Sequence, residues 1–189
     1  MTPAGRVGED RAGTFPIPGG HLLVVADGAG GTSGGAVSAD AVLSQARAFV
    51  PTSVTDCVQF LVNLDQQLRA IGQTTAVVAS VVNGQVMGAS VGDSGAWLLT
   101  PPDFVDLTED QNRKPLLGSG LAKPVAFGPY SISGRLLVAS DGLFKYVACE
   151  RIRELATTLP LASTAGALVD AARLPSGALQ DDVAVIVAG

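Results

Sequence analysis

His21-Leu22-Leu23-Val24-Val25-Ala26-Asp27-Gly28 is the stretch on which the reading of this chain turns. A short apolar run that stops at Asp-Gly has the pattern of a buried strand entering a turn. Gly28, Gly30, Gly31, Gly34 and Gly35 follow at once, and a backbone so free of side chains can approach another group closely. Ser33 or Ser38 is a candidate cap for the next helix, which is expected to run to about residue 49, before Pro51.

Outward from this stretch the period changes twice. A second helix is predicted over 54–71, where Val58, Leu61, Val62, Asp65 and Leu68 recur near helical spacing and Asp65 is the polar exception. Strands are predicted over 74–82, 85–91 and 96–100, with Asn83-Gly84 as a tight-hairpin signal between the first two, and a short one over 104–107. Residues 109–133 are polar, rich in Gly and Pro and without period, and are expected to form a long surface loop. A strand over 135–139 ends in Ser140-Asp141-Gly142. Helices over 143–147, 150–158 and 162–172 come next, and a last strand over 183–187 follows Asp181-Asp182. Mostly antiparallel strands with segregated helices make an α+β layered domain, expected to span residues 1–189 without repeat or linker.

Composition narrows the chemistry. The 189 residues are 47% hydrophobic and 15% charged, enough apolar matter for one core. The net charge of −5, with no basic patch, argues against a nucleic-acid partner. No apolar run is long enough to span a bilayer, and residues 1–10 lack a signal-peptide pattern, so a cytoplasmic location is expected. Cys57 and Cys149 have no CxxC spacing and read as reduced thiols. With His21 as the one histidine, histidine-rich zinc sites are nearly excluded, and catalysis must rest on carboxylates.

Those carboxylates share a local design. Asp27 and Asp141 each follow an apolar strand and precede a glycine, Asp93 lies in Val91-Gly92-Asp93-Ser94-Gly95, and Asp181-Asp182 precede an apolar strand. Glu9-Asp10 form a fifth acidic site. One such Asp-Gly is usually just a turn. Carboxylates gathered from several strand ends repel one another unless cations hold them, and oxygen-only sites suit Mg²⁺ or Mn²⁺.

The same motifs, in order along nearly the whole chain, resemble those of the metal-dependent protein phosphatases of type 2C. Asp27-Gly28-Ala29-Gly30-Gly31 is similar to the family's Asp-Gly-x-Gly-Gly loop and Thr74-Thr75-Ala76 to its Thr-Ala strand. Gly92-Asp93-Ser94 and Ser140-Asp141-Gly142 match two further elements, and Asp181-Asp182-Val183-Ala184 resembles the closing one. The resemblance implies a four-layer αββα sandwich, a central antiparallel β-sandwich flanked by helix pairs, with two Mn²⁺ or Mg²⁺ ions at one end. By position Asp27 would bridge the ions. Asp141 and Asp181 would complete one shell, and Glu9 or Asp10 and the Gly28 carbonyl would hold the other ion. Glu9 would act mostly through water, Asp10 would order water, and Asp93 with Asp141 would serve a looser third ion. Arg6 is the candidate phosphate-binding arginine. The implied reaction is hydrolysis of phosphoserine or phosphothreonine by a metal-activated water, on a phosphorylated protein substrate, by a monomer.

The chain departs from the family pattern in three places. Lys145 stands four residues after Asp141, where many members carry another Asp; its ammonium either replaces the charge of an ion or points to solvent, and an added positive charge there predicts weak or absent binding of the third ion. Ala29 stands where eukaryotic members have a histidine. Only 48 positions separate Asp93 from Asp141, so the flap over the site must be reduced to about residues 109–133. Lys145 and the short flap leave open an alternative, a catalytically weak phosphatase-like module that binds a phosphoprotein or partner.

Overall fold

The computed structural model describes residues 8–29 and 34–189. In order, its elements are β1 (Asp10–Ile17), β2 (Gly20–Asp27), α1 (Gly35–Ala46), α2 (Val54–Leu68), β3 (Ala76–Val82), β4 (Gln85–Val91) and β5 (Gly95–Leu99). Then come β6 (Phe104–Asp106), β7 (Val125–Ser131), β8 (Arg135–Ala139), α3 (Asp141–Tyr146), α4 (Cys149–Thr158), α5 (Leu161–Ala171) and β9 (Val185–Ala188). The strands form two antiparallel sheets, ordered β1-β2-β3-β4-β7 and β6-β5-β8-β9.

Side-chain alternation builds the layers. On β2, Leu22, Val24 and Ala26 pack with Leu61, Leu64 and Val42 of the helices, whereas Leu23 and Val25 pack with Leu136 and Val138 of the other sheet. On β8 the next residues, Leu137 and Ala139, pack with Ile152 of α4 and Leu168 of α5. A strand covered on both faces has no polar face to show, which is why 22–26 reads as an unbroken apolar run. The result is helices, sheet, sheet, helices: the expected αββα sandwich.

The structure corrects several sequence expectations. Strand β1, paired residue by residue with β2, was not anticipated, because Gly13 and Pro16 dilute its strand signal; Pro16 is tolerated on this edge strand. Residues 109–133 are not loop throughout. Val125–Ser131 pairs with β4 as the other edge of the same sheet, and Gly128-Pro129 had masked it. Ser38 does not cap α1; it lies inside the helix with its hydroxyl buried and unpartnered, and Gly34 holds the cap position. Ser33, Gly30 and Gly31 lie outside the described residues. Helix α1 ends at Ala46 and α2 at Leu68, each about one turn short of expectation.

Asp65, the polar residue on the apolar face of α2, has a structural task. It is buried and accepts from the backbone N–H groups of Gly118 (2.8 Å), Gly120 (3.0 Å) and Ala122 (3.1 Å). One carboxylate thereby satisfies three donors of a segment that has no ladder of its own.

Candidate functional site

Antiparallel pairing brings the acidic motifs to one end of the sandwich. The end of β2 lies against the start of β1, so that Asp10 is the direct cross-strand partner of Asp27. The starts of β3 and β9 likewise lie against the ends of β2, β4 and β8. Asp27, Asp93 and Asp141 each offer a carboxylate oxygen within 4.8 Å of the others.

The motif residues around these aspartates fix their backbone. The Asp27 N–H donates to Thr75 Oγ1 (3.0 Å), and Thr74 Oγ1 and the Thr75 N–H both donate to the Asp27 carbonyl (2.8 Å each). Thr75 Oγ1 shares a 2.6 Å hydrogen bond with Ser94 Oγ, which ties the Thr-Ala strand to the Gly-Asp-Ser turn. Gly92 turns that corner at φ +92°, the left-handed region that favours glycine. On the other sheet, Ser140 binds Ala184 twice: its N–H donates to the Ala184 carbonyl (3.0 Å) and its Oγ accepts from the Ala184 N–H (2.9 Å). A Cβ on Gly142 would lie 2.1 Å from the Asp182 carbonyl oxygen. The Ser-Asp-Gly and Asp-Asp motifs therefore fit together only with glycine there.

Burial and mutual repulsion raise carboxyls of the centre. Burial, then the charges of Asp10 and Asp141, push the Asp27 carboxyl up to about 9. Burial also lifts Asp10 to about 6, offset in part by Ser140 and the Asp27 carboxyl. Asp141 is raised by burial too, against the lowering effect of Lys145. One oxygen of Asp10, Oδ2, is buried without a hydrogen-bond partner. Partly buried carboxylates that face one another with a partnerless oxygen suit a hard divalent cation, so the donor set fits Mg²⁺ or Mn²⁺.

The remaining candidates divide. Glu9 is present at the centre's edge: its N–H donates to Asp182 Oδ2 (2.6 Å), its carbonyl accepts from the Gly28 N–H (3.3 Å), and its carboxylate lies against Gly35. Asp181 is not part of the triad and is half exposed, whereas Asp182 is committed to Glu9. Arg6 lies outside the described residues. Arg11 is engaged by Asp40 of α1 (2.5 Å). His21 is exposed.

Lys145 does not simply point to solvent: it forms an ion pair with Asp141 and lies 3.7 Å from Asp181 Oδ2. Sequence reasoning missed Arg113, whose Nε (2.9 Å) and Nη2 (2.7 Å) both donate to Asp93 Oδ2. It sits in the segment read as loop, where no local pattern distinguishes one arginine from another. Beside Asp93 opens a cavity of about 230 Å³, lined by Arg113 and by the packed rings of Trp97 and Phe144, whose centroids are 4.5 Å apart.

No protein-family model and no curated protein matches this chain. Solved structures do. A bacterial serine phosphatase variant superposes with a TM-score of 0.83 at 25% identity, covering 96% of this chain and 91% of that one. The serine/threonine phosphatase Stp1 from Staphylococcus aureus gives 0.78 at 21%, covering 96% and 89%. RsbX in complex with magnesium gives 0.76 at 16%, covering 98% and 88%.

Proposed function

From a chain that belongs, by fold and motif order, with the bacterial type 2C phosphatases, we propose a metal-dependent serine/threonine protein phosphatase that uses Mg²⁺ or Mn²⁺. The observation that carries this reading is the convergence of Asp10, Asp27, Asp93 and Asp141 from separate strand ends into one centre where carboxylates crowd Asp27. A fold alone would not require it: repelling, partly buried carboxylates cost stability, and a chain keeps them where a ligand offsets the cost.

Asp27 would be the shared holder of the ions, helped by Glu9 or Asp10 and the Gly28 carbonyl and by Asp141, Asp181 and Asp93. Bound divalent ions lower the pKa of water and offset negative charge on a phosphoryl group. The chain's own residues supply the order. The hydrogen bonds from Thr74 and Thr75 and to Thr75 Oγ1 hold the Asp27 backbone in place, and a ligand on a fixed backbone loses less freedom when it binds. Asp10, across the strand pair from Asp27, would order water beside the ions. Arg113, on the rim beside Asp93, is a second candidate after Arg6 for the phosphate, since a guanidinium donates two hydrogen bonds in one plane. With Ala29 in place of a histidine, protonation of the leaving oxygen falls to water.

Hydrolysis of an aryl phosphate in added Mn²⁺, wild type against Asp27→Asn, tests this reading. Metal-dependent turnover that is lost in Asp27→Asn is expected. The ion pair of Lys145 with Asp141 favours one rival, the catalytically weak phosphatase-like module, and absence of metal-dependent turnover in the wild type would decide for it.

A further inference from the structure

The cations of the centre are unevenly shared. Lys145 follows Asp141 by four residues on α3, so both side chains lie on one face of the helix. Its ammonium pairs with Asp141 and reaches Asp181 at 3.7 Å. Arg113 donates twice to Asp93. Among the described residues no ion pair reaches Asp10 or Asp27. Among the described residues, the Asp93, Asp141 and Asp181 side of the centre is therefore ion-paired with cations, and Asp10 and Asp27 are not.

We propose that Lys145 acts as a built-in cation that competes with divalent metal for Asp141 and Asp181, confining strong metal binding to the Asp10–Asp27 half of the centre. This rests on the metal-binding reading above and adds to it the number and strength of the ions held. The physical reason is direct. A divalent ion on Asp141 must either displace the ammonium or sit a few ångströms from it, and both outcomes weaken binding. The two built-in cations are not equal in this. The Arg113 side chain is 71% exposed and gives way easily, whereas Lys145 is 40% exposed and starts from a helix already anchored beside Asp141. Lys145 is thus a positioning residue. It sets which carboxylates are free to bind metal without itself touching the reacting atoms.

The test is Mn²⁺ binding to the full chain near neutral pH, by isothermal titration and by the electron-spin-resonance signal of free Mn²⁺. Wild type is compared with Lys145→Met, which keeps the length and loses the charge, and with Lys145→Arg, which keeps the charge. The expected result is that Lys145→Met takes up one more Mn²⁺, or binds on the order of tenfold tighter, while Lys145→Arg titrates like wild type. Lys145→Gln guards against a packing effect peculiar to Met and is expected to match it. Identical titrations of wild type and the uncharged variants would overturn the inference alone. So would tighter binding by Lys145→Arg, because the charge would then be irrelevant. No Mn²⁺ binding by any form, each with native circular dichroism, would overturn the metal reading and this inference together.

Discussion

Replacing Asp27 with asparagine is expected to make the metal-free protein more stable. Asp10 and Asp27 are direct cross-strand partners, and like charges so placed destabilise a sheet. At a separation of about 5 Å and an effective dielectric constant near 20, two carboxylates repel by about 3 kcal/mol. Asp27 is only partly buried, so screening leaves about 2 kcal/mol. The pH dependence follows with a definite sign. The folded chain raises Asp27 to about 9 and Asp10 to about 6, both from 3.8. It therefore binds more protons than the unfolded chain between those limits. The stability this gives is fully present below the unfolded value and is lost as pH rises through 6 toward 9. Urea unfolding in EDTA, from about pH 5 to about pH 8, should show wild type losing about 2 kcal/mol. Asp27→Asn should lose less and be the more stable protein at the upper end. Added Mn²⁺ should reverse that order, because only wild type gains from it. An asparagine variant equal to or weaker than wild type at about pH 8 in EDTA would refute the reasoning.

Three further outcomes are expected. Asp65→Ala should cost about 3 kcal/mol in chemical denaturation, because it strips one buried acceptor from three backbone donors. Gly142→Ala should cost about 1–3 kcal/mol in chemical denaturation, since its Cβ meets the Asp182 carbonyl and pushes apart the two motifs that carry Asp141 and Asp181. Burial pushes the Cys57 thiol up to about 12, so a thiol reagent should label Cys149 alone in the native protein and both cysteines in urea.

Much of the fold was legible because its central elements are locally consistent. The runs 22–26 and 76–79 are apolar without a break, which only a strand covered on both faces requires, and Asn83-Gly84 joins the β3–β4 hairpin as expected. The edges were not legible. β1 and β7 carry Gly13, Pro16, Gly128 and Pro129, residues an edge strand tolerates and a sequence pattern penalises. That omission reached the site, because the facing of Asp10 and Asp27 depends on β1 and no spacing in the sequence shows it. The motif aspartates at strand ends could be picked out, since a carboxylate after an apolar run is a local signal. The four-residue spacing already set Lys145 beside Asp141, but Arg113 on Asp93 was not legible, because a cation distant in sequence gives no sign of which carboxylate it meets.

The central claim is that strand-end carboxylates gathered around Asp27 hold divalent ions. Anomalous diffraction at the manganese edge, from crystals of the full chain grown with Mn²⁺, tests it most directly. Anomalous density is expected within bonding distance of the Asp27 carboxylate, with Asp10 or the Gly28 carbonyl beside it. Well-ordered aspartates with no anomalous density among Asp10, Asp27 and Asp141 would contradict it.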